Sequence, residues 1–316
     1  MDIIVSSDDE TIKDLKGTIS GLFEKPQPYF VFGTEPYFNS INVYFDGLNG
    51  QMLRQKTIVL LVHDENKQFL NDEFGINMNE LELKMKDGHS IVLQDLWAIN
   101  QHVIILYTKT RKEMAQYLVK DAESILNTTL ISERKDLAER ILTTSGAIEN
   151  YNIIKKEYGC GVAIPSTYNL RQNKDGYLLF LEDTENYTSG IMVYGFPYTD
   201  TAQFNTDYLI AKRDSICKIH IEGEIKGTYM TTVGKDKYYR YKFNKVKRYN
   251  GTYTKEIRGM WVIKGEFKSG PFISYCMLHE PTNQLIVVES FLMYPDMNKR
   301  KAPFLRIYES LPYSFK

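Results

Sequence analysis

From Tyr229 to Tyr294 the chain reads as one strand after another, and this run constrains the fold more than any other feature of the sequence. The segments are Tyr229 to Val233, Tyr238 to Val246, Thr252 to Ile263, Pro271 to Leu278 and Gln284 to Tyr294. Loops as short as Lys247 to Gly251 and Pro281-Thr-Asn join neighbouring strands as hairpins, so the sheet is expected to be mostly antiparallel. Tyrosine supplies much of it: the chain has 23 Tyr and 16 Phe against 2 Trp. Tyr fits a half-buried pleated surface with its hydroxyl at the wet rim. The expectation is a large sheet with one exposed face, and a ligand surface is the alternative use of the same side chains.

The rest of the second half supports that sheet. Val162-Ala-Ile-Pro, Tyr177 to Leu181 and Ile191 to Tyr194 read as further strands, Phe204 to Ile216 as a helix, and Pro303 suits the start of a closing helix. The first half has a different texture. Ile3 to Ser6 reads as a strand, and Thr11 to Phe23 as a helix with Ile12, Leu15, Ile19 and Leu22 on one face and Asp8 or Asp9 as its cap. Ser40 to Phe45 is a short strand. Lys56 to His63 and Gln101 to Thr108 are continuous apolar runs, the pattern of strands covered on both faces. Leu81, Leu83 and Met85 alternate like a half-exposed strand, and Asp87-Gly88 is a turn signal. Arg111 to Asn127 and Ser132 to Tyr158 read as two helices, the second capped by Ser132 and ended by Gly159.

At 316 residues the chain is natural for two domains. The change of texture places them at residues 1–158, an N-terminal α/β domain, and 159–316, a C-terminal α+β domain. The fold class is α+β, with two α/β-type halves, the second a mostly antiparallel Tyr-rich sheet packed by helices.

A formal net charge of −1 excludes a chain-wide role on nucleic acid or an anionic membrane, which needs a cationic excess. The longest strongly apolar runs, Ile58 to Val62 and Val103 to Leu106, fall far short of a bilayer span. Met1 is followed at once by Asp2 and Ile3-Ile4-Val5, the start expected of a chain whose leader has been removed. Cys160, Cys217 and Cys276 are far apart and fit buried thiols. No zinc spacing, phosphate-binding glycine loop or nucleophile motif occurs, and the histidines His63, His89, His102, His220 and His279 form no recognisable frame. The expectation is no cofactor, no metal site and no catalytic residue set.

Two groups of residues still have the composition of a site. Lys237, Tyr239, Arg240, Tyr241 and Lys242 interleave charge with rings, as a surface for a polyanion or a sugar chain would. The same pattern also describes a solvated hairpin whose lysines blunt an edge. Glu256 and Arg258 are two apart on a strand and so point the same way, with Trp261 on the opposite face. An acid and a base side by side form an ion pair or hold a zwitterionic ligand. Arg213-Asp214, near a helix end, suits capping or tethering of that helix to the sheet.

Several ordered segments then point to a family. They are Lys212-Arg213-Asp214-Ser215, Gly227-Thr-Tyr-Met-Thr-Thr232, Gly251 to Trp261, Ser269-Gly-Pro-Phe-Ile-Ser274, Phe291 to Pro295, Lys299-Arg300 and Leu305-Arg306 through Glu309. In this order they resemble the Bacteroidota lipoproteins of the domain of unknown function 4837. The first half is similar more loosely. Met260 and Ser269 depart from the pattern, which tends to have Leu and Gly there, and neither change removes a chemical group.

The resemblance implies a lipid anchor on a cysteine upstream of Met1 and a folded part outside the cytoplasmic membrane. It implies nothing about activity, because the family has no assigned one. On these grounds the expected role is a non-enzymatic envelope module that binds a protein or glycan partner and meets the membrane only through its anchor. The alternative is an envelope hydrolase with an acid/base site near Glu256 and Arg258.

Overall fold

Three apolar runs in the first half, Ile3 to Val5, Ile58 to Val62 and Val103 to Leu106, are completely or almost completely buried. They are the centres of parallel strands, and such strands are covered on both faces. The computed structural model describes residues 2–27, 35–86, 88–233, 243–296 and 299–316. It divides into a first unit that ends at Asp136 and a second that runs from Leu137 to Lys316.

The first unit holds β1 (Asp2–Ser7), α1 (Asp9–Phe23), β2 (Asn39–Tyr44), β3 (Thr57–Val62), α2 (Lys67–Phe74), α3 (Met78–Met85), β4 (Ser90–Gln94), β5 (His102–Tyr107) and α4 (Arg111–Lys120). The helix α5 (Ala122–Ile141) carries the chain across the division. The sheet order is β2-β1-β3-β5-β4, with β4 antiparallel and every other pairing parallel. One face packs Val5, Val59 and Leu61 on Ile12, Leu15 and Ile19 of α1 and Met114 and Leu118 of α4. The other packs Ile58, Leu60 and Ile105 on Leu70 of α2 and Leu81 and Met85 of α3.

Residues 81–85 are therefore helical, not a strand. Met78, Leu81 and Met85 fall on one helical face, and Asn77 caps that helix through its side chain. The strand in this region is β4, and α2 has no counterpart in the sequence reading. Ser132 lies in the middle of α5, so it caps nothing, and the long helical stretch breaks instead at residues 142–144. The turn expected at Asp87-Gly88 includes a residue outside those described.

The second unit continues with α6 (Ser145–Tyr158), β6 (Asn169–Lys174), β7 (Tyr177–Asp183), β8 (Thr188–Pro197), α7 (Thr206–His220) and β9 (Tyr229–Thr232). Then come β10 (Phe243–Tyr249), β11 (Thr252–Lys264), β12 (Ser269–His279), β13 (Gln284–Met293) and α8 (Ala302–Ser310). The sheet runs β10-β11-β12-β13-β8-β7-β6, antiparallel throughout, with β9 paired to the far half of β11. Gly159 ends α6 with φ +77°, a conformation glycine adopts at no steric cost. Residues 162–165 form no strand. Val162 and Ile164 are buried against the sheet all the same.

Both faces of this sheet are covered, so the expectation of one exposed face does not hold. Ile154 and Tyr158 of α6 and Leu305 and Tyr308 of α8 pack on one face, with Phe180, Val193, Tyr275 and Val288. Leu209 and Cys217 of α7 pack on the other, with Tyr194, Met192, Trp261 and Phe272. Many tyrosines are interior as a result. Tyr168, Ser189 and Tyr308 link their hydroxyls at 2.5 Å each, and Tyr308 passes its proton donor on to the carbonyl of Phe291 at 3.0 Å. Buried hydroxyls need such partners. The three cysteines are free and buried.

Candidate functional site

Arg213 and Asp214 on the one hand, and Glu256 and Arg258 on the other, belong to two networks on opposite faces of the second sheet. The first is built by α7, whose N-terminus is capped by the Asn205 side chain. One side of the helix faces the sheet and carries Arg213, which is only 1% exposed. Its Nε donates to Glu289 Oε1 on β13 at 2.7 Å, and its Nη1 to Thr232 Oγ1 on β9 at 3.0 Å. The guanidinium lies over the Phe272 ring, 4.2 Å from its centroid. Asp214 completes the clamp: Oδ1 accepts from the backbone N–H and the hydroxyl of Thr232, both at 2.7 Å. The Arg213-Asp214 pair thus tethers the helix to two strands. Burial pushes the Glu289 carboxyl up to about 7, against the opposing pull of Arg213. Burial also raises the Cys217 thiol to about 12, which makes it an inert group.

The second network is on the face covered by α8. Glu256 and Arg258 point the same way from β11, and Arg258 Nε donates to Glu256 Oε1 at 2.7 Å. Arg258 also donates to Glu309 of α8, and Tyr249 of β10 donates its hydroxyl to Glu256 Oε2 at 2.9 Å. Glu256, Arg258 and Glu309 are all buried. The two carboxylates hold the Arg258 guanidinium firmly in its charged form despite the burial that opposes it. The network joins helix to sheet by charge-assisted bonds, which are the strong ones.

Trp261 is on the opposite face from Glu256 and Arg258, as the strand period requires. It packs edge-on against Phe291, with ring centroids 6.0 Å apart. Its register partner is Gly270, where a Cβ would stand 1.8 Å from the Leu292 carbonyl oxygen. Only glycine fits there. The proposed basic-aromatic surface, Lys237, Tyr239, Arg240, Tyr241 and Lys242, lies outside the described residues.

A surface pocket of about 480 Å³ opens where β12 begins and β13 ends. Its walls include Phe267, Pro271, Leu292, Met293, Tyr294 and Pro295. Tyr294 belongs to a three-ring cluster, with Tyr187 at 5.4 Å and Phe304 at 6.0 Å between centroids. The two lysines at the pocket are already engaged. Lys301 Nζ donates to the carbonyls of Asp296 and Lys299 at 3.0 Å and lies over the Tyr294 ring, while Lys268 pairs with Glu224 at 2.5 Å. Phe267, in the connection between β11 and β12, is fully exposed.

The pocket gathers segments that are remote in sequence, Ser269-Gly-Pro, Phe291 to Pro295 and the stretch that follows Lys299. Reading the sequence did not single out Phe267 or Lys301. The one available signal was a lone aromatic ring in the Gly265-Glu-Phe-Lys connection.

In the first unit, His63 has a frame that its sequence neighbours do not reveal. Asp8 Oδ2 lies 3.0 Å from His63 Nε2 and accepts from Asn66 Nδ2 at 2.6 Å and Thr11 Oγ1 at 2.8 Å. Asp8 Oδ1 accepts the Thr11 backbone N–H at 2.9 Å and so caps α1. Partial burial opposes these bonds, and together with His63 they prevail, holding the carboxyl at about 2.

No helix among the described residues is long and apolar enough to cross a membrane, and none of their His, Cys, Asp and Glu side chains form a group of three or more suited to a metal. No curated protein matches the chain. The model of one family, described as a domain of unknown function, matches residues 147–311. That match covers more than half of the chain and takes in both buried networks and the apolar pocket. The chain belongs to the family of the domain of unknown function 4837.

Proposed function

We propose that this protein is a lipid-anchored cell-envelope protein that binds a partner protein at the pocket between β12 and β13. The reading rests on one observation: an apolar pocket flanked by a fully exposed phenylalanine, with its neighbouring lysines already engaged. Such a site suits an apolar side chain presented by a peptide segment, since contiguous exposed apolar patches mark interaction surfaces. A glycan would ask for more free hydrogen-bonding groups than these walls offer. What supports the anchor and the envelope location is the resemblance of the ordered segments to Bacteroidota lipoproteins. Enclosure of Glu256 and Arg258 within their own ion pairs favours binding over hydrolysis, because a general acid must reach the bond that it protonates.

The test is retention of envelope proteins on immobilised wild-type chain and on Phe267→Ser. Binding that is lost in the variant and abolished by protease treatment of the extract supports the reading. Binding that survives protease but not periodate oxidation points to a glycan and overturns it. Metabolic labelling of the full gene product with a fatty acid tests the anchor, and the absence of label refutes that part.

A further inference from the structure

The first unit has its own pocket, of about 750 Å³, at the carboxyl end of β5. One wall comes from α3 and the residues after it, with Asn79, Glu82, Lys86 and His89. The other comes from Tyr107 at the end of β5 and from Lys109 and Glu113. In open α/β sheets, ligands bind outside the carboxyl ends of the strands. The volume is that of a small-molecule site.

Among the described residues, the charges at this pocket cancel. Lys67, beside it, bonds Asp64 at 2.8 Å and Glu82 at 3.1 Å. Glu113 accepts the backbone N–H groups of Lys109 and Thr110 at 3.0 and 3.3 Å. Lys67, Lys86 and Lys109 thus stand against Asp64, Glu82 and Glu113 among the described residues. Of the described residues that line the pocket, Glu82 and Glu113 would oppose a free anion and Lys86 and Lys109 a free cation. What the walls offer in quantity is hydrogen bonding of both kinds. Lysine ammoniums and the Asn79 amide donate, while carboxylates and the Asn79 oxygen accept. His89 Nδ1 donates to the Tyr107 carbonyl at 3.1 Å, which fixes the ring at the pocket wall. Leu83, 80% exposed, adds an apolar surface for C–H groups.

The backbone at this site is also under strain. Lys86 ends α3 at φ +53°, ψ −117°, a combination that side-chain-bearing residues rarely adopt. Such outliers cluster at ligand sites, where the surroundings hold them.

We propose that this pocket binds a neutral, polyhydroxylated molecule of mono- to disaccharide size. Vicinal hydroxyls both donate and accept, which matches mixed, charge-balanced walls. This site is separate from the proposed protein-binding pocket, and neither depends on the other.

The experiment is saturation-transfer NMR of the full chain with glucose, N-acetylglucosamine and maltose, extended by a printed array of neutral bacterial saccharides. Citrate and spermidine serve as the anionic and cationic arms. A saccharide is expected to bind, and Asn79→Ala/Lys109→Met to weaken it by roughly tenfold or more, the loss of hydrogen bonds from an amide and a charged donor. Asn79 and Lys109 are exposed, so the melting temperature should hold. Phe267→Ser should leave this binding unchanged, which separates its failure from that of the protein-binding reading. Binding of citrate or spermidine in place of a saccharide overturns the proposal. So does the lack of any saccharide whose binding depends on Asn79 and Lys109.

Discussion

Arg213 reaches Glu289 across 76 residues of sequence and bonds it at 2.7 Å, fixing α7 to the centre of the second sheet. Both side chains are almost wholly out of solvent. A buried pair of this kind is weak evidence for stability in itself, because desolvation of the two charges offsets their attraction. Removal of one partner is a different matter. Glu289→Leu leaves Arg213 with Asp214 as its nearest counter-ion, and the variant should lose about 3–5 kcal/mol. The double change Arg213→Met/Glu289→Leu should recover most of that loss. Urea unfolding of wild type, Arg213→Met, Glu289→Leu and the double variant completes the cycle, and additive losses would contradict the pairing argument.

Glu289 also gives the second unit a pH dependence of definite sign. Its folded-state carboxyl titrates at about 7, raised from 4.5 by burial. The folded chain therefore holds a proton that the unfolded chain has released between those values. Stability from this group is full below about pH 4.5 and falls as pH rises to about 7, by on the order of 3 kcal/mol. His220 and His279 are shifted down by burial and act in the opposite sense. The quantity to measure is thus the difference between wild type and Glu289→Gln, followed from pH 4 to 8. That difference should decline through the window and level off above it.

Gly270 is required by packing, not by its backbone angle. Its Cβ would stand 1.8 Å from the Leu292 carbonyl oxygen, a backbone atom that cannot swing away, and 3.0 Å from the Trp261 ring. Gly270→Ala must therefore push β12 and β13 apart beside the apolar pocket. Overpacking of this kind costs about 1–3 kcal/mol or more. A fall in melting temperature together with weaker partner binding is expected, and an unchanged melting temperature would show that the strands yield freely.

Reading the sequence succeeded where one local pattern had one structural meaning. The unbroken apolar runs of β3 and β5 are long enough for strands and too short for helices. Glu256, Arg258 and Trp261 follow the two-residue strand period, so their faces were legible. Leu81, Leu83 and Met85 fit that period too, but Met78, Leu81 and Met85 fit the helical one, and tertiary packing on Leu70 and Ile58 decided between them. The break between α5 and α6 carries no Pro or Gly, only Thr143 and Thr144, whose hydroxyls turn back to carbonyls one helical turn earlier. Glu309 meets Arg258 across 51 residues, and Asp8 meets His63 across 55. No spacing rule spans such distances, because the fold itself creates them.

The Asp8 frame supplies the last test. Asp8 caps α1, and its carboxyl is held at about 2, below the ordinary 3.8, by bonds from Thr11 and Asn66 with His63 alongside. The sign is that of a depressed acid. Its contribution is present above about pH 3.8 and is lost as pH falls toward about 2. Asp8→Ala removes both the cap and this dependence, and loss of a helix cap alone costs about 1 kcal/mol. Acid titration of the full chain, followed at α1 by amide hydrogen exchange, should show the first unit opening at higher pH in the variant. At pH 2, where the wild-type carboxyl is itself about half protonated, the gap between the two chains should shrink. A gap that stays constant from pH 6 to pH 2 would mean that Asp8 acts through geometry and not through its charge.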